Sequence, residues 1–219
     1  KLYVQEDLIG QIWKDRPPMS KEPVWILDEA YSGRSTKDKL AAVREKMKEK
    51  GAEVHLLASL YDIAWLLNVR GNDISYVPVV LSYLALTQEQ CIWFLQEEVV
   101  DDTLREYLQK NGITTRPYEA FYEYVKTLEN QTILLNRAVV NTKICNNLPE
   151  SAQMIDAEDP TLEMKAVKNE TEISNTRKAH VKDAVAMCRF MYWLKKNVGK
   201  IPMTEISASD YLESLRREQ

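Results

Sequence analysis

The residues best placed to do chemistry in this sequence form the tetrapeptide Arg70-Gly71-Asn72-Asp73. It follows an apolar segment, residues 60–69, and combines a guanidinium, a flexible glycine, an amide and a carboxylate. Arg70 and Asp73 could hold a charged ligand. Alternatively, Gly71 could cap the end of a buried helix, with Asn72 in a turn and Asp73 paired to Arg70. The sequence favours this second interpretation, a structural corner or cleft edge.

The chemistry-bearing residues outside this tetrapeptide are sparse. A metal centre needs several His, Cys, Asp or Glu side chains brought together, and the chain has two histidines. His55 lies in an apolar segment, which is typical of a buried histidine, and His180 lies among lysines, which is typical of a solvated helix face. The sequence contains no HExxH, GxSxG or phosphate-binding glycine loop. We therefore expect no catalytic residue and no metal ligand in this chain.

The composition is that of an ordinary globular protein: 45% of the 219 residues are hydrophobic and 28% are charged. A net charge of -4, with scattered basic residues, argues against a nucleic-acid partner. Cys91, Cys145 and Cys188 form no CxxC pair, which predicts free, core-like thiols in a reducing, cytoplasmic compartment. The longest uncharged run, residues 74–88, is shorter than the roughly 20 residues of a membrane span.

The elements that must position these residues alternate between helix and strand. A helix opening at Ser35 and stopped by Gly51 precedes an apolar strand at residues 53–59. The apolar runs 79–87 and 91–96 predict a hairpin of central strands, and an amphipathic helix follows at 101–112. Tyr76, Tyr83 and Trp93 alternate with aliphatic residues, which indicates core positions. The pattern predicts an α/β fold with roughly four or five strands.

Composition and periodicity also suggest domain boundaries. Closely spaced prolines, including Pro17 and Pro18, predict a stiff linker over residues 1–22, and the first residue is not Met, so we expect an earlier segment. Residues 23–163 are expected to form a domain. Residues 164–219 are expected to be the incomplete start of another, with a long helix from residue 164 and a second helix capped by Ser207 and Asp210. The long helix carries an apolar stripe suited to covering a sheet, formed by Val181, Ala184, Val185, Cys188, Met191 and Tyr192.

Five segments in this order and spacing resemble the three-domain Xaa-Pro aminopeptidases, also called aminopeptidase P. They are IWKDRPP, YSGRSTKDKLAAVREKM, LYDIAWLLNVRGNDISYVPVVLSY, AVKNETEISNTRKAHVKDAVAMCRFMYWL and TEISASDYLESLRREQ. The resemblance covers nearly the whole chain. It implies a creatinase N-terminal-like, ribonuclease-H-like mixed sheet flanked by helices, followed by the first helices of a truncated pita-bread catalytic domain.

The resemblance also implies an activity. Such enzymes remove the N-terminal residue before a proline, act on proline-containing peptides as homodimers, and use two metal ions, usually manganese. No position of this chain matches the family's ligand motifs, so we expect this piece to be inactive and to bind no metal itself. The alternatives are a naturally metal-free interaction module of the pita-bread superfamily, or a creatinase or prolidase relative. Neither nucleic acid nor membrane is expected as a partner.

Overall fold

The computed structural model describes residues 6–219, so part of the predicted linker, residues 1–5, lies outside the described residues. The strands are β1 Trp25–Ile26, β2 Val54–Leu57, β3 Val69–Arg70, β4 Tyr83–Thr87, β5 Cys91–Leu95, β6 Ile113–Pro117, β7 Thr132–Leu135 and β8 Gln153–Asp156. The helices are α1 Leu8–Ile12, α2 Glu29–Ser32, α3 Thr36–Glu49, α4 Leu60–Leu66, α5 Asp102–Lys110, α6 Ala120–Lys126, α7 Thr142–Asn146, α8 Pro160–Ala166, α9 Glu170–Asn197 and α10 Glu205–Arg217.

Two compact units make up the described chain. The first contains the residues up to Ile26 and Thr36–Leu162, and the second contains Leu27–Ser35 and Glu163–Gln219. The division after Leu162 lies close to the predicted boundary at residue 163, but the second unit also takes a short early segment. The assignment of the predicted domains remains a prediction.

The first unit is built on a six-stranded mixed sheet in the order β6-β5-β4-β2-β7-β8. Strand β4 runs antiparallel to both of its neighbours, and the other pairs are parallel. The carboxyl ends of β2, β5, β6, β7 and β8 therefore share one edge, at which β4 begins. A separate two-stranded sheet pairs β1 with β3, with Trp25 opposite Arg70. The predicted α/β class with a mixed sheet and flanking helices is confirmed.

Apolar runs explain the central strands. Every residue of β2 and β5 is buried, as expected for strands covered on both faces. Helices α5 and α6 add apolar side chains at helical spacing, Leu104 with Leu108 and Phe121 with Val125. One core cluster joins residues of β2, β4, β5 and β7 with the buried face of α6.

The predicted strand count was too low. Strand β8 was not predicted because Gln153–Asp156 lies at a sheet edge, largely exposed, and shows no apolar alternation. Strands β1 and β3 were not predicted because each has two residues, too few for a periodic signal.

The helices of the second unit begin at other residues than predicted. Helix α9 starts at Glu170, not at residue 164, because Asn169 caps it: its side chain accepts from the Glu172 amide while Glu172 accepts from the Asn169 amide. Helix α10 is capped by Thr204 with Ser207, so the predicted Ser207–Asp210 capping box is wrong.

The buried face of α9 also differs from the predicted stripe. Helices α9 and α10 pack through buried Ala186 and Leu215, with Trp193 and Tyr211 ring centroids 4.2 Å apart. In the predicted stripe, by contrast, Val181 is 66% and Tyr192 64% exposed. None of the helices in residues 6–219 combines the length and hydropathy that crossing a bilayer requires.

Candidate functional site

The corner that contains Arg70, Asn72 and Asp73 begins where α4 ends. The helix stops at Leu66, and the left-handed residue behind it is Asn68, with φ 50°. Asparagine tolerates this conformation better than most residues with a Cβ. The predicted glycine cap is therefore wrong, because Gly71 lies in the chain leaving β3, outside the left-handed region.

Long side chains from three elements satisfy the backbone carbonyls at the end of α4. A helix leaves its last carbonyls without intrahelical partners, and cations also complement its dipole there. The donors are Arg70 Nη1 to the Ala64 carbonyl at 2.9 Å, Lys39 Nζ to Trp65 at 2.8 Å, and Tyr107 Oη to Leu67 at 3.0 Å.

Lys39 of α3 is almost completely buried, with 1% of its surface exposed. Besides the Trp65 carbonyl, its ammonium donates to Asn68 Oδ1 at 2.7 Å and lies 4.4 Å from the centroid of the Trp65 ring. These contacts compensate for the loss of water around the charge. The buried lysine thus holds both the helix end and the left-handed asparagine in place.

Glycine is needed at position 71 because Val79 and Val80 lie very close to its backbone. A Cβ at this position would lie 2.8 Å from Val80 Cγ2 and 3.0 Å from the Val79 carbonyl oxygen, closer than normal packing allows. The segment that leads into β4 therefore packs directly against the Gly71 backbone.

Asp73 joins two distant stretches of backbone. Its Oδ2 accepts from the Leu81 amide at 2.7 Å, and its Oδ1 accepts from the Glu22 amide at 3.3 Å. Arg70 faces the end of α4, and Asn72 is exposed. The hydrogen bonds described for Arg70 and Asp73 explain the positions of both side chains without the predicted ion pair between them. These contacts are those of a structural corner; a role at a cleft edge remains a prediction.

Replacing Asp73 with alanine is expected to lower the free energy of unfolding by about 1–2 kcal/mol, because it removes the acceptor of the Leu81 and Glu22 amides. The matched control is Asn72→Ala, at an exposed neighbour, with an expected change within about 0.5 kcal/mol. Urea denaturation followed by circular dichroism measures both. Equal effects of the two substitutions would contradict the role assigned to Asp73, which is to accept hydrogen bonds from the Leu81 and Glu22 amides.

His55 is fully buried in β2, as predicted. Its Nδ1 lies 3.1 Å from the Leu134 carbonyl oxygen and therefore carries the proton in the neutral ring, while Nε2 lies 3.8 Å from Asp159 Oδ1. Burial lowers the His55 pKa to about 4, outweighing the opposing effects of the Leu134 hydrogen bond and the Asp62 charge. The contact with Asp159 is therefore not an ion pair at neutral pH. His180 is exposed, also as predicted.

The cysteines and aromatic residues follow the predictions in part. All three cysteines are free, and burial raises the pKa of the Cys91 thiol to about 12. Cys188 is exposed, so its predicted core position is wrong. Tyr83 and Trp93 are buried, but Tyr76 is 94% exposed and adopts φ 65°. The predicted core position of Tyr76 is therefore wrong.

A donor set for metal ions is not found in the described part of the chain. Within residues 6–219, no three His, Cys, Asp or Glu side chains are grouped so that they could hold an ion. The geometry around Arg70, Asn72 and Asp73 instead supports the backbone of neighbouring elements.

The sequence identifies the family of this mixed sheet. Residues 15–172 match the family model of the creatinase/prolidase N-terminal domain, and this chain belongs to that family.

Several similar proteins carry the name Xaa-Pro aminopeptidase. A probable Xaa-Pro aminopeptidase P from Laccaria bicolor is 36% identical, covering 98% of this chain and 34% of the relative. Xaa-Pro aminopeptidase 1 from Dictyostelium discoideum is 32% identical, covering 97% and 35%. The X-prolyl aminopeptidase from Caenorhabditis elegans, described as a cytosolic enzyme with a di-nuclear active site, superposes with a TM-score of 0.89 at 29% identity, covering 99% of this chain and 36% of that one. The chain thus spans about a third of the length of these relatives.

Proposed function

We propose that this chain is a non-catalytic part of an Xaa-Pro aminopeptidase, which removes the N-terminal residue that precedes a proline. The observation that supports the proposal is similarity over nearly the whole chain, 97% to 99%, to relatives that carry this name. Because the chain spans about a third of those relatives, the activity would belong to a longer polypeptide.

In this proposal the reaction is a hydrolysis that depends on two metal ions, manganese in most of the family. The described residues do not fit such a centre, because no group of three or more ligating side chains is present among them. No step of the reaction is therefore assigned to Arg70, Asn72 or Asp73.

The role assigned to the chain is that of a scaffold that shapes a cleft or a homodimer in the cytoplasm. Two features support it. Hydrogen bonds from the corner at Arg70–Asp73 reach the linker at Glu22, the end of α4 and the residues that precede β4. The exposed stripe on α9, including Val181 and Tyr192, is an apolar surface of the kind that a further domain or a second copy covers.

A chimera tests the proposal. This chain replaces the matching segment of the Caenorhabditis elegans enzyme, and release of the N-terminal residue from an Xaa-Pro peptide is measured with manganese present. We expect the folded chimera to be active and the isolated chain to be inactive. A folded but inactive chimera would favour a metal-free interaction module, and hydrolysis by the isolated chain would contradict the scaffold role.

A further inference from the structure

A group of tyrosines lies at the carboxyl edge of the six-stranded sheet. Tyr83 begins β4 at this edge, and Tyr118 follows β6, held by a hydrogen bond from its amide to the Leu95 carbonyl at 2.8 Å. Tyr122 lies on α6, and Asn141 precedes α7. We refer to Tyr83, Tyr118, Tyr122 and Asn141 as the tyrosine ledge.

The rings of the ledge are rigidly supported. Tyr83 is buried and stacks on Phe121 with centroids 4.2 Å apart, while Tyr118 and Tyr122 pack on Tyr83 at 5.1 Å and 5.8 Å. Tyr118 and Tyr122 are half-buried, so each retains exposed surface. Rigid aromatic surface of this kind contributes contact area at low entropic cost.

The hydroxyl groups of the ledge carry more hydrogens than the ledge itself accepts. Asn141 Nδ2 uses both hydrogens, donating to Tyr83 and Tyr122 at 3.1 Å each, and the Tyr83 and Tyr122 oxygens are 3.0 Å apart. Tyr118 contacts Tyr83 through its ring. The hydroxyl hydrogens of Tyr83 and Tyr122 thus serve one contact, and the Tyr118 hydroxyl adds a third hydrogen. The Tyr118 hydrogen is carried by a half-buried side chain and can reach an acceptor at the surface.

The charged residues around the ledge are acidic on one side and basic on the other. Beside Tyr118 is an open pocket of about 370 Å³, whose rim carries Glu97, Glu98 and Glu119. This rim already binds one ammonium group, since Lys21 Nζ donates to Glu98 at 2.6 Å. On the other side, Lys143 Nζ lies 4.1 Å from the centroid of the Tyr122 ring. An elongated ligand with a cation at one end and an anion or carbonyl at the other would match this order of charges.

We propose that the tyrosine ledge binds the extended, proline-containing part of a peptide; this inference rests on the proposed function and gives it a substrate-binding region. Proline has no N–H, so a proline-rich backbone offers carbonyl acceptors and flat apolar rings. The ledge offers the complementary features, a surplus hydroxyl donor and exposed aromatic faces. The acidic pocket receives a basic side chain or a terminal ammonium of the same peptide.

Binding is measured on this chain by NMR titration with a blocked peptide of Ala-Pro-Pro repeats that begins with one lysine. A blocked peptide cannot be cleaved at its N-terminus, so the measurement is independent of activity. We expect shifts at Tyr118, Tyr122 and Glu119, and at least a roughly tenfold weaker affinity when alanine replaces every proline. Acetylating the lysine is expected to weaken binding about two- to threefold, an effect that added salt removes.

Variants assign the binding to the ledge. Tyr118→Ala is expected to weaken binding about tenfold, while Tyr31→Ala, at an exposed tyrosine of the other unit, leaves it unchanged. Because Tyr118→Ala removes packing on Tyr83, circular dichroism checks its fold, and Tyr122→Phe tests the hydroxyl with the ring retained. No binding at millimolar peptide, equal binding of the all-alanine peptide, or unchanged binding by Tyr118→Ala and Tyr122→Phe would overturn the inference. An active chimera alongside any of these results would leave the proposed function standing.

Discussion

Below pH 6.5 the first unit should lose stability with a component that depends on His55. The pKa of His55 is about 4 in the folded chain, against 6.5 for an unperturbed histidine such as that of the unfolded chain. Between these values the unfolded chain binds more protons than the folded chain, so stability falls as pH decreases and is fully retained above 6.5. The difference corresponds to about 3 kcal/mol at pH 4.

The comparison of variants isolates this component from the carboxylates that also titrate in acid. His55→Asn retains a donor for the Leu134 carbonyl but cannot be protonated, so its stability should depend less on pH between 4 and 6.5. His180→Asn is the matched control, because His180 is exposed. Urea titrations at several pH values measure the slopes. Parallel pH profiles for the original chain and His55→Asn would disprove the assignment.

Replacing Lys39 with methionine should lower the free energy of unfolding by roughly 2 kcal/mol. The substitution preserves the length of the buried stem but removes the ammonium that donates to the Trp65 carbonyl and to Asn68 Oδ1. An unsatisfied buried acceptor costs about 1–3 kcal/mol, and the contact with the Trp65 ring is lost as well. The removal of a buried charge offsets part of this cost.

Lys37→Met provides the control on the same helix, because Lys37 is exposed. Its expected change is within about 0.5 kcal/mol. Guanidinium denaturation at neutral pH measures both substitutions. If Lys39→Met were as stable as the original chain, the ammonium would contribute nothing net to the end of α4.

Sequence periodicity could predict the elements that bury a continuous apolar run. The strands β2, β4 and β5 lie within apolar segments that were predicted to be strands, and the left-handed Gly51 lies where α3 was predicted to stop. Edge strand β8 escaped prediction because hydrogen bonding to β7, and not burial, defines it. The hydrophobic pattern of a sequence predicts buried strands well. It predicts poorly a strand that is paired at an exposed edge of a sheet.

The candidate site shows a second limit. The sequence singled out the tetrapeptide at Arg70–Asp73, but the cap of α4 was predicted at Gly71 because glycine is the commonest residue for that conformation. Asn68 takes it instead, held by Lys39 from a separate helix. Partners as distant in sequence as Lys39, Tyr107 and Glu22 cannot be inferred from spacing, since only the tertiary fold brings them to the corner.

The hydrogen bonds at the carboxyl end of α4 have a further consequence for how the first unit unfolds. Donors from α3, from β3 and from α5 all converge on it, and Thr36 at the start of α3 also donates to the Tyr107 hydroxyl, at 2.7 Å. Detaching any one of these segments would uncover polar backbone in an apolar interior. Partially open forms are therefore disfavoured, and this region should melt in a single all-or-none transition without fraying piece by piece.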